Sequence, residues 1–381
     1  MKNYPDWRFN FSDDWQEKKA EEIFEEVSEK NHTELEVLTI IQGKGTIFRK
    51  ESGIDISFTD ESKSNYKKVS EGNFIIHLRS FQGGLEMANS EGIVSPAYTI
   101  LKNKVSIDGK FFKFYFRSYK FIFDKLAKVV EGIRDGKQIN YNQFQFVKLS
   151  LPNLEEQKKI SDYLTHFDKA LTAQEKKVTH WQEVKKGMLQ KIFSREFRFK
   201  DDNGNDYPDW QEKKLGDIVD FLDEKRKPLD ERERIEGIYP YYGASGIIDF
   251  VENYIFDEEL ILLSEDGANI LSRNYPVCFL ASGKYWVNNH AHVMKAKKGY
   301  INAYICEYLE SLDYTKYNSG TAQPKLNQEV CKKISLKIPC LEEQKKIADY
   351  FSHLDKIISA ESKILESMRE MKKGLLQKLF V

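Results

Sequence analysis

Pro5-Asp6 followed by Glu17-Lys18-Lys19 imitates the Pro-Asp…Glu-x-Lys spacing of metal-dependent nucleases, whose carboxylates converge on Mg²⁺ from adjacent strands. Here the Glu-x-Lys runs into Ala20-Glu21-Glu22-Ile23-Phe24, a helical pattern, and Asp209 in a second copy stands only three residues before Glu212. A solvated, charged helix start is the expected structure. Gly132-Ile133-Arg134-Asp135-Gly136-Lys137-Gln138 approaches a phosphate-cradling loop, but it is one residue short and lacks the hydroxyl that holds Mg²⁺. No Asn-Pro-Pro-aromatic run is present to grip a flipped adenine. His77 and His166 have no partner at metal or triad spacing. His290 and His292 share a strand face without a third ligand nearby in sequence. Cys278, Cys306, Cys331 and Cys340 show no metal-ligand spacing and are expected as free thiols. The expectation is a chain with no catalytic residues, metal or cofactor of its own.

The elements that carry these residues are soluble in character. Fifty-nine basic and 60 acidic residues nearly cancel, which excludes a module held to nucleic acid by bulk charge but not one with segregated faces. The sequence starts without the apolar core of a signal peptide, and no stretch approaches the ~18 apolar residues of a membrane span. A cytoplasmic protein with no membrane partner is expected.

An internal repeat sets the organisation. Leu154-Glu155-Glu156-Gln157-Lys158-Lys159-Ile160 returns letter for letter as Leu341-Glu342-Glu343-Gln344-Lys345-Lys346-Ile347, and the offset of 187 residues holds to the end of the chain. About half of the aligned positions are identical. Trp15-Gln16-Glu17-Lys18-Lys19 likewise recurs as Trp210-Gln211-Glu212-Lys213-Lys214, and Val94–Lys102 lies weakly on Val287–Lys295. The chain is two copies of one unit, each a variable globular part followed by a nearly constant segment.

Each constant segment follows a proline, Pro152 or Pro339, and reads as a helix of ~40 residues, ~60 Å long. Ile160, Leu164, Phe167 and Leu171, and in the second copy Ile347, Phe351, Leu354 and Ile358, follow the 3.5-residue spacing of a coiled-coil seam. Two copies related by a two-fold must run antiparallel. Seam positions Lys185, Glu361, Gln174 and Lys372 are polar, and one register joins Lys185 to Glu361 and Gln174 to Lys372. A competing register sets Lys185 against Leu354 and Gln174 against Leu365; the first is taken as the expectation because it pairs every seam charge.

In the variable parts, Asn73–Arg79, Lys110–Phe116, Glu259–Leu263 and Val277–Leu280 read as strands, and Phe121–Arg134 and Asn302–Leu312 as helices. The fold class is mixed α/β (α+β): two globular domains, each followed by a long helix, with the helices paired as an antiparallel coiled coil of pseudo-two-fold symmetry. The expected divisions are 1–150 and 198–337 for the domains, and 151–197 and 338–381 for the helical spacers.

This organisation, the Leu-Glu-Glu-Gln-Lys-Lys-Ile opening, the Lys-Lys-Gly-(Met/Leu)-Leu-Gln-Lys-(Ile/Leu)-Phe ending and several segments of the second domain resemble the specificity subunits of Type I restriction–modification enzymes. Those segments are Tyr239–Gly246, Glu265–Asn269, Gly283–His292 and Asn318–Asn327. The first domain departs from the pattern, with only Gly136-Lys137-Gln138-Ile139-Asn140 before its helix. The resemblance implies target-recognition domains that each read one half of a bipartite site in double-stranded DNA, on a helical spacer that docks two modification subunits. Those partners would bind S-adenosylmethionine and methylate adenine. Restriction subunits would bring ATP and Mg²⁺. A metal-dependent nuclease and a coiled-coil scaffold without a DNA role are the competing readings.

Readout needs donors and acceptors on loops that reach base edges, with cations on phosphates. In the first domain Arg79, Ser80, Gln82 and Gly83 follow a strand and offer a guanine-competent Arg, an adenine-competent Gln and a close-approach Gly; an ordinary polar turn is the plain alternative. In the second, the candidates are Tyr241, Tyr242, Ser245, Lys284, Asn288, Asn289, His290, Ser319, Thr321, Gln323 and Lys325. Tyr241, Tyr242 and Trp286 serve equally well as core.

Overall fold

A computed structural model of the chain describes residues 4–53, 63–132 and 138–380. Of the segments discussed above, 133–137 lie outside them, and with them most of the phosphate-loop-like run and the end of the Phe121–Arg134 stretch. The chain packs as two compact units, residues 1–175 with 364–381 and residues 176–363.

The two units share a plan. In unit 1 an antiparallel sheet runs in the order Phe24–Val27, Thr99–Asn103, Phe74–Ile76, Glu86–Met87. In unit 2 the order is Val219–Phe221, Ala291–Ala296, Leu260–Ser264, Cys278–Ala281. A helix covers the sheet of each, Gly109–Tyr115 in unit 1 and Asn302–Ser311 in unit 2. Unit 2 adds a second four-stranded sheet built on the hairpin Glu236–Gly243/Gly246–Val251.

Three expectations need correction. Lys110–Phe116 is helical: Asp108 caps it by accepting from the Phe111 amide, and Phe111, Phe112, Phe114 and Tyr115 are all buried, because clustering aromatics on the sheet outweighs their strand propensity. Phe121 onward is not an α-helix but a π-helical turn, Lys120–Lys125, followed by a 3₁₀ turn, Leu126–Val129. The Glu-x-Lys segment lies on a strand, Gln16–Lys19, which runs directly into the expected helical turn, Ala20–Ile23; Glu17 pairs with Lys148 of the neighbouring strand at 2.7 Å.

That strand explains the repeat. Gln16–Lys19 pairs with Lys148–Leu151, and Gln211–Lys214 with Ser335–Ile338, so the two conserved segments of each copy meet beside the long helix. The helices span Leu154–Phe193 and Leu341–Lys378, each starting two residues after its proline. Of the repeated Glu-Glu pair the second is buried, at 1% exposure for Glu156 and none for Glu343. Glu156 takes both Arg8 donors at 2.6 and 2.8 Å; Glu343 takes Arg198 at 2.8 and 3.2 Å and the Trp210 indole N–H at 2.9 Å. Gln157 and Gln344 each donate to the carbonyl of the preceding proline and accept a domain amide, from Asp108 and Ile301. The repeated letters therefore fasten each helix to its own domain.

The seam residues have a different task from the one expected. Ile160 and Leu164 lie in the core of unit 1 together with Leu379 and Phe380; Ile347, Phe351 and Leu354 lie in the core of unit 2 together with Leu189 and Ile192. Phe167, Leu171 and Ile358 are only half-buried. Helix pairing within each unit is antiparallel: Asp168 meets Lys372 and Glu175 meets Arg369 in unit 1, and Lys177 meets Glu361 and Lys185 meets Asp355 in unit 2. The expected Lys185–Glu361 register is thus overturned. Lys185 pairs with Asp355 and lies over the Phe351 ring, closer to the competing register, because burial of apolar residues near the helix ends outweighs the pairing of two seam polars that find partners elsewhere.

Lys185 donates to both Asp355 (2.7 Å) and Glu307 (2.9 Å). One ammonium serves two carboxylates, and burial pushes the more enclosed one, Glu307, up to about 7. At the matching place in unit 1 the covering helix offers Lys113, whose burial lowers its pKa beside Lys372 and Asp168. The folded state keeps the Glu307 proton where an unfolded chain has lost it, so unit 2 gains stability as pH falls from 8 to 6. Glu307→Gln should remove this dependence and raise stability at pH 8 by on the order of 2 kcal/mol, read from the melting of unit 2 at the two pH values. Arg198→Ala, which leaves Glu343 buried without its cation, should cost about 3 kcal/mol in urea unfolding, against no measurable change for the exposed Glu342→Ala.

Candidate nucleic-acid interface

Four loops of unit 2 converge at the ends of its sheets. The strand Leu260–Ser264 runs into Glu265-Asp266-Gly267. The turn Asn288–His290 enters the central strand Ala291–Ala296. Between the hairpin strands lies Ala244-Ser245, and Asn318–Leu326 precedes the short helix Gln328–Lys332. The Ser264 hydroxyl donates to the Ala244 and Val277 carbonyls. The Glu265 amide donates to the His290 carbonyl at 2.8 Å, and the Leu326 amide to the Glu265 carbonyl at 2.7 Å. Asp266 and Lys325 form a backbone bridge, and the Asp266 carboxylate holds the His290 ring at 2.9 Å. The Asn318 side-chain oxygen accepts from Gly320 and Lys325 amides, which closes the 318–325 loop on itself.

Beneath this surface is a buried charge network. Asp223 Oδ2 meets His292 Nδ1 at 2.7 Å and accepts from Gln328 at 2.8 Å, while Oδ1 accepts the Val293 amide. His292 Nε2 lies 2.7 Å from the Leu326 carbonyl. Arg226 donates to Glu265 at 2.7 Å and to the Ala291 carbonyl at 2.8 Å, and Lys325 Nζ lies 3.4 Å from Glu265. The absence of a third ligand near the histidine pair is therefore a correction. Asp223, Glu265 and His292 bring ligand atoms within 4.8 Å of one another, while His290 turns away to Asp266. Arg226 stands against both carboxylates of that group, which makes it an ion-pair network of the protein's own cations. Burial lowers the His292 pKa, but its hydrogen bond and charge interaction with Asp223 prevail and push it up to about 10; His292, the Val293 amide and Arg226 together outweigh burial and hold Asp223 below the usual carboxylate range.

The expected site residues divide clearly. Ser245, Asn289, His290, Ser319, Thr321, Gln323 and Lys325 are exposed on the converging loops. Tyr241 is a core residue, 1% exposed, its hydroxyl accepting the Leu229 amide; Tyr242 is half-buried and packs on Phe279 and Tyr285. Asn288 is 5% exposed and accepts the His290 amide, so it shapes its turn from inside. Lys284 is exposed but sits at the other end of its strand, over the Tyr254 ring. In unit 1, Arg79 and Gln82 are exposed, whereas Ser80 is fully buried and accepts the His77 amide on its hydroxyl. Residues 80–83 form a helical turn, with Gly83 pressed against Gln42. Glu86, fully buried, accepts the Gly43 and Gly45 amides and pairs with Arg117, which fixes the adjacent hairpin turn. Sequence reasoning missed Glu86, Arg117, Asp223, Arg226 and Gln328. Asp223, Arg226 and Gln328 stand in polar runs that read as solvated surface, Glu86 and Arg117 are single charges beside apolar or aromatic residues, and no spacing marks any of them.

Fold and site together describe a duplicated chain, two α+β units each fastened to a long helix, with polar loops gathered at one edge of the sheets. The chain belongs to the family of the Type I restriction modification DNA specificity domain, which matches residues 12–180 and again 207–369. It is 33% identical over 147 residues to a putative type I restriction enzyme specificity subunit of Haemophilus influenzae, covering 39% of this chain and 38% of that one. With the MjaVIII specificity subunit of Methanocaldococcus jannaschii it shares 29% over 202 residues, 49% of this chain and 46% of the relative. The chain thus spans less than half the length of these two curated relatives. The crystal structure of a Type I S subunit from M. genitalium covers 99% of both chains with a TM-score of 0.63 at 18% identity, a likeness of fold. No helix among the described residues is long and apolar enough to cross a membrane.

The His292 network has a pH signature. Its folded pKa lies above the unfolded value, so the stability it contributes is present below neutrality and is lost as pH rises through about 10. Asp223, shifted down, loses its contribution only on the acid side. Melting of unit 2 should therefore fall between pH 8 and 10.5, and His292→Gln should flatten that limb.

Proposed function

We propose that the chain is the DNA-reading, non-catalytic subunit of a Type I restriction–modification complex, each unit reading one half of a bipartite site in double-stranded DNA. The observation that carries this is the convergence of exposed donors and acceptors, Ser245, Asn289, His290, Ser319, Thr321, Gln323 and Lys325, on loops held by a rigid network at one edge of unit 2. In unit 1 the corresponding exposed groups are Arg79 and Gln82. The helices set the spacing of the half-sites and dock two modification subunits, which supply S-adenosylmethionine and methylate adenine; restriction subunits add ATP- and Mg²⁺-dependent cleavage. The complex works in the cytoplasm. Family membership and the engagement of Glu17 by Lys148 favour this over a nuclease centred on Glu17.

The two kinds of contact are separable by experiment. Arg79→Ala should relax or shift one half-site, at about 1–3 kcal/mol of discrimination. Lys325→Ala should weaken all sequences alike and reduce the salt slope of binding by about one. DNA-binding assays on the complex check both; an unchanged half-site and affinity for Arg79→Ala would remove that residue from the interface. A fragment ending near Arg195 carries Leu189 and Ile192, which align with Leu376 and Leu379 in the repeat. Its helix should complete the core of a second copy, giving a homodimer that directs methylation of an inverted-repeat site. Ultracentrifugation showing a soluble monomer would contradict the pairing.

A further inference from the structure

We infer that His292, through a buried imidazolium, is the positioning residue of the unit 2 reading surface, holding the 318–325 loop in register with the loops at Glu265–Gly267 and Asn288–His290. The inference rests on the DNA-reading function proposed above and names what makes that surface specific.

The geometry requires both ring nitrogens to carry protons. Nδ1 faces the Asp223 carboxylate and Nε2 faces the Leu326 carbonyl, each at 2.7 Å, and neither neighbour can donate. A neutral ring would turn a lone pair on one of them. The cation is 1% exposed and has two carboxylates at Nδ1, Asp223 at 2.7 Å and Glu265 at 3.7 Å. Of the other charged neighbours, Arg226 faces both Asp223 and Glu265, and Lys325 faces Glu265.

The connections of the ring explain why it acts at a distance. Leu326 is the last residue of the loop segment: its carbonyl is held by His292 and its amide by the Glu265 carbonyl, while Pro324 accepts the Gly267 amide. Asp223, on the opposite side of the ring, also binds Gln328 and Val293. Arg226, one turn on, holds Ala291 and Glu265. One side chain thus ties four chain segments together from below, and none of its atoms reaches the exposed face. Removing it leaves the Leu326 carbonyl without its donor, takes the cation from Asp223 Oδ2, which keeps Gln328, and lets the 318–325 loop move relative to Asn289 and His290. Base recognition depends on donor placement and suffers from that movement, whereas phosphate attraction by Lys325 does not.

The test is selection of bound sequences from a randomised duplex library by the full chain assembled with its modification subunits, with salt titrations on the selected sites. His292→Gln should leave one half-site intact and blur the other, with roughly tenfold or greater loss of affinity for the wild-type site and an unchanged salt slope. Both half-sites retained at wild-type affinity would overturn the positioning role. So would a loss of binding with a reduced salt slope in a folded complex, because that pattern means detachment of the whole unit. If His292→Gln does not assemble, Asp223→Asn decides by the same measurement: a blurred half-site supports the role and an unchanged one overturns it. A wild-type complex that selects no bipartite site would refute the functional reading itself, a result distinct from either.

Discussion

Everything in this protein depends on how each domain core is closed. The sheet and covering helix of unit 1 leave an apolar face that Ile160 and Leu164 of one long helix and Leu379 and Phe380, just past the end of the other, fill together; in unit 2 the same places are taken by Ile347, Phe351, Leu354, Leu189 and Ile192. Burying such residues is worth roughly 1.5–3 kcal/mol each, more than any exposed ion pair along the helices. The helix register follows from this closure, and the charged seam residues adjust to it by finding partners off the seam, as Lys185 does with Asp355 and Glu307.

A core closed in this way leaves the loop ends of each domain free of structural duty toward the helices. Their rigidity has to come from polar chemistry instead. Unit 2 supplies it with Asp223, Arg226, Glu265 and His292, unit 1 with Glu86 and Arg117, and in each a buried group, His292 or Glu86, is held by partly buried partners.

Much of this was legible in the sequence. The long helices, their proline-bounded starts and the duplication followed from a repeat in which Glu156/Glu343 and Gln157/Gln344 recur for a structural reason, the grip on Arg8 and Arg198 and on the domain edge. The central strands followed from apolar runs such as Leu260–Leu263. Periodicity failed where tertiary packing decides, as in Gly109–Tyr115, whose aromatics suit a strand until the sheet beneath makes a helix the better way to bury them all. It failed for the register as well, since a seam pattern records which residues are apolar and not which domain they enter. In the site, exposed loops were found through their small polar residues, while burial of Ser80, Tyr241 and Asn288 and the role of Asp223 depend on long-range contacts that no local pattern encodes.

The claim at the centre of this account is that the chain alone determines which DNA sequence is marked, through two half-sites at fixed separation. Genome-wide mapping of modified bases, in a host where this chain is the only specificity subunit, tests it most directly. The account predicts methylated adenines in one bipartite motif with a constant spacer, absent when the chain is deleted. Modified bases that persist after its deletion, or a continuous motif without a spacer, would contradict it.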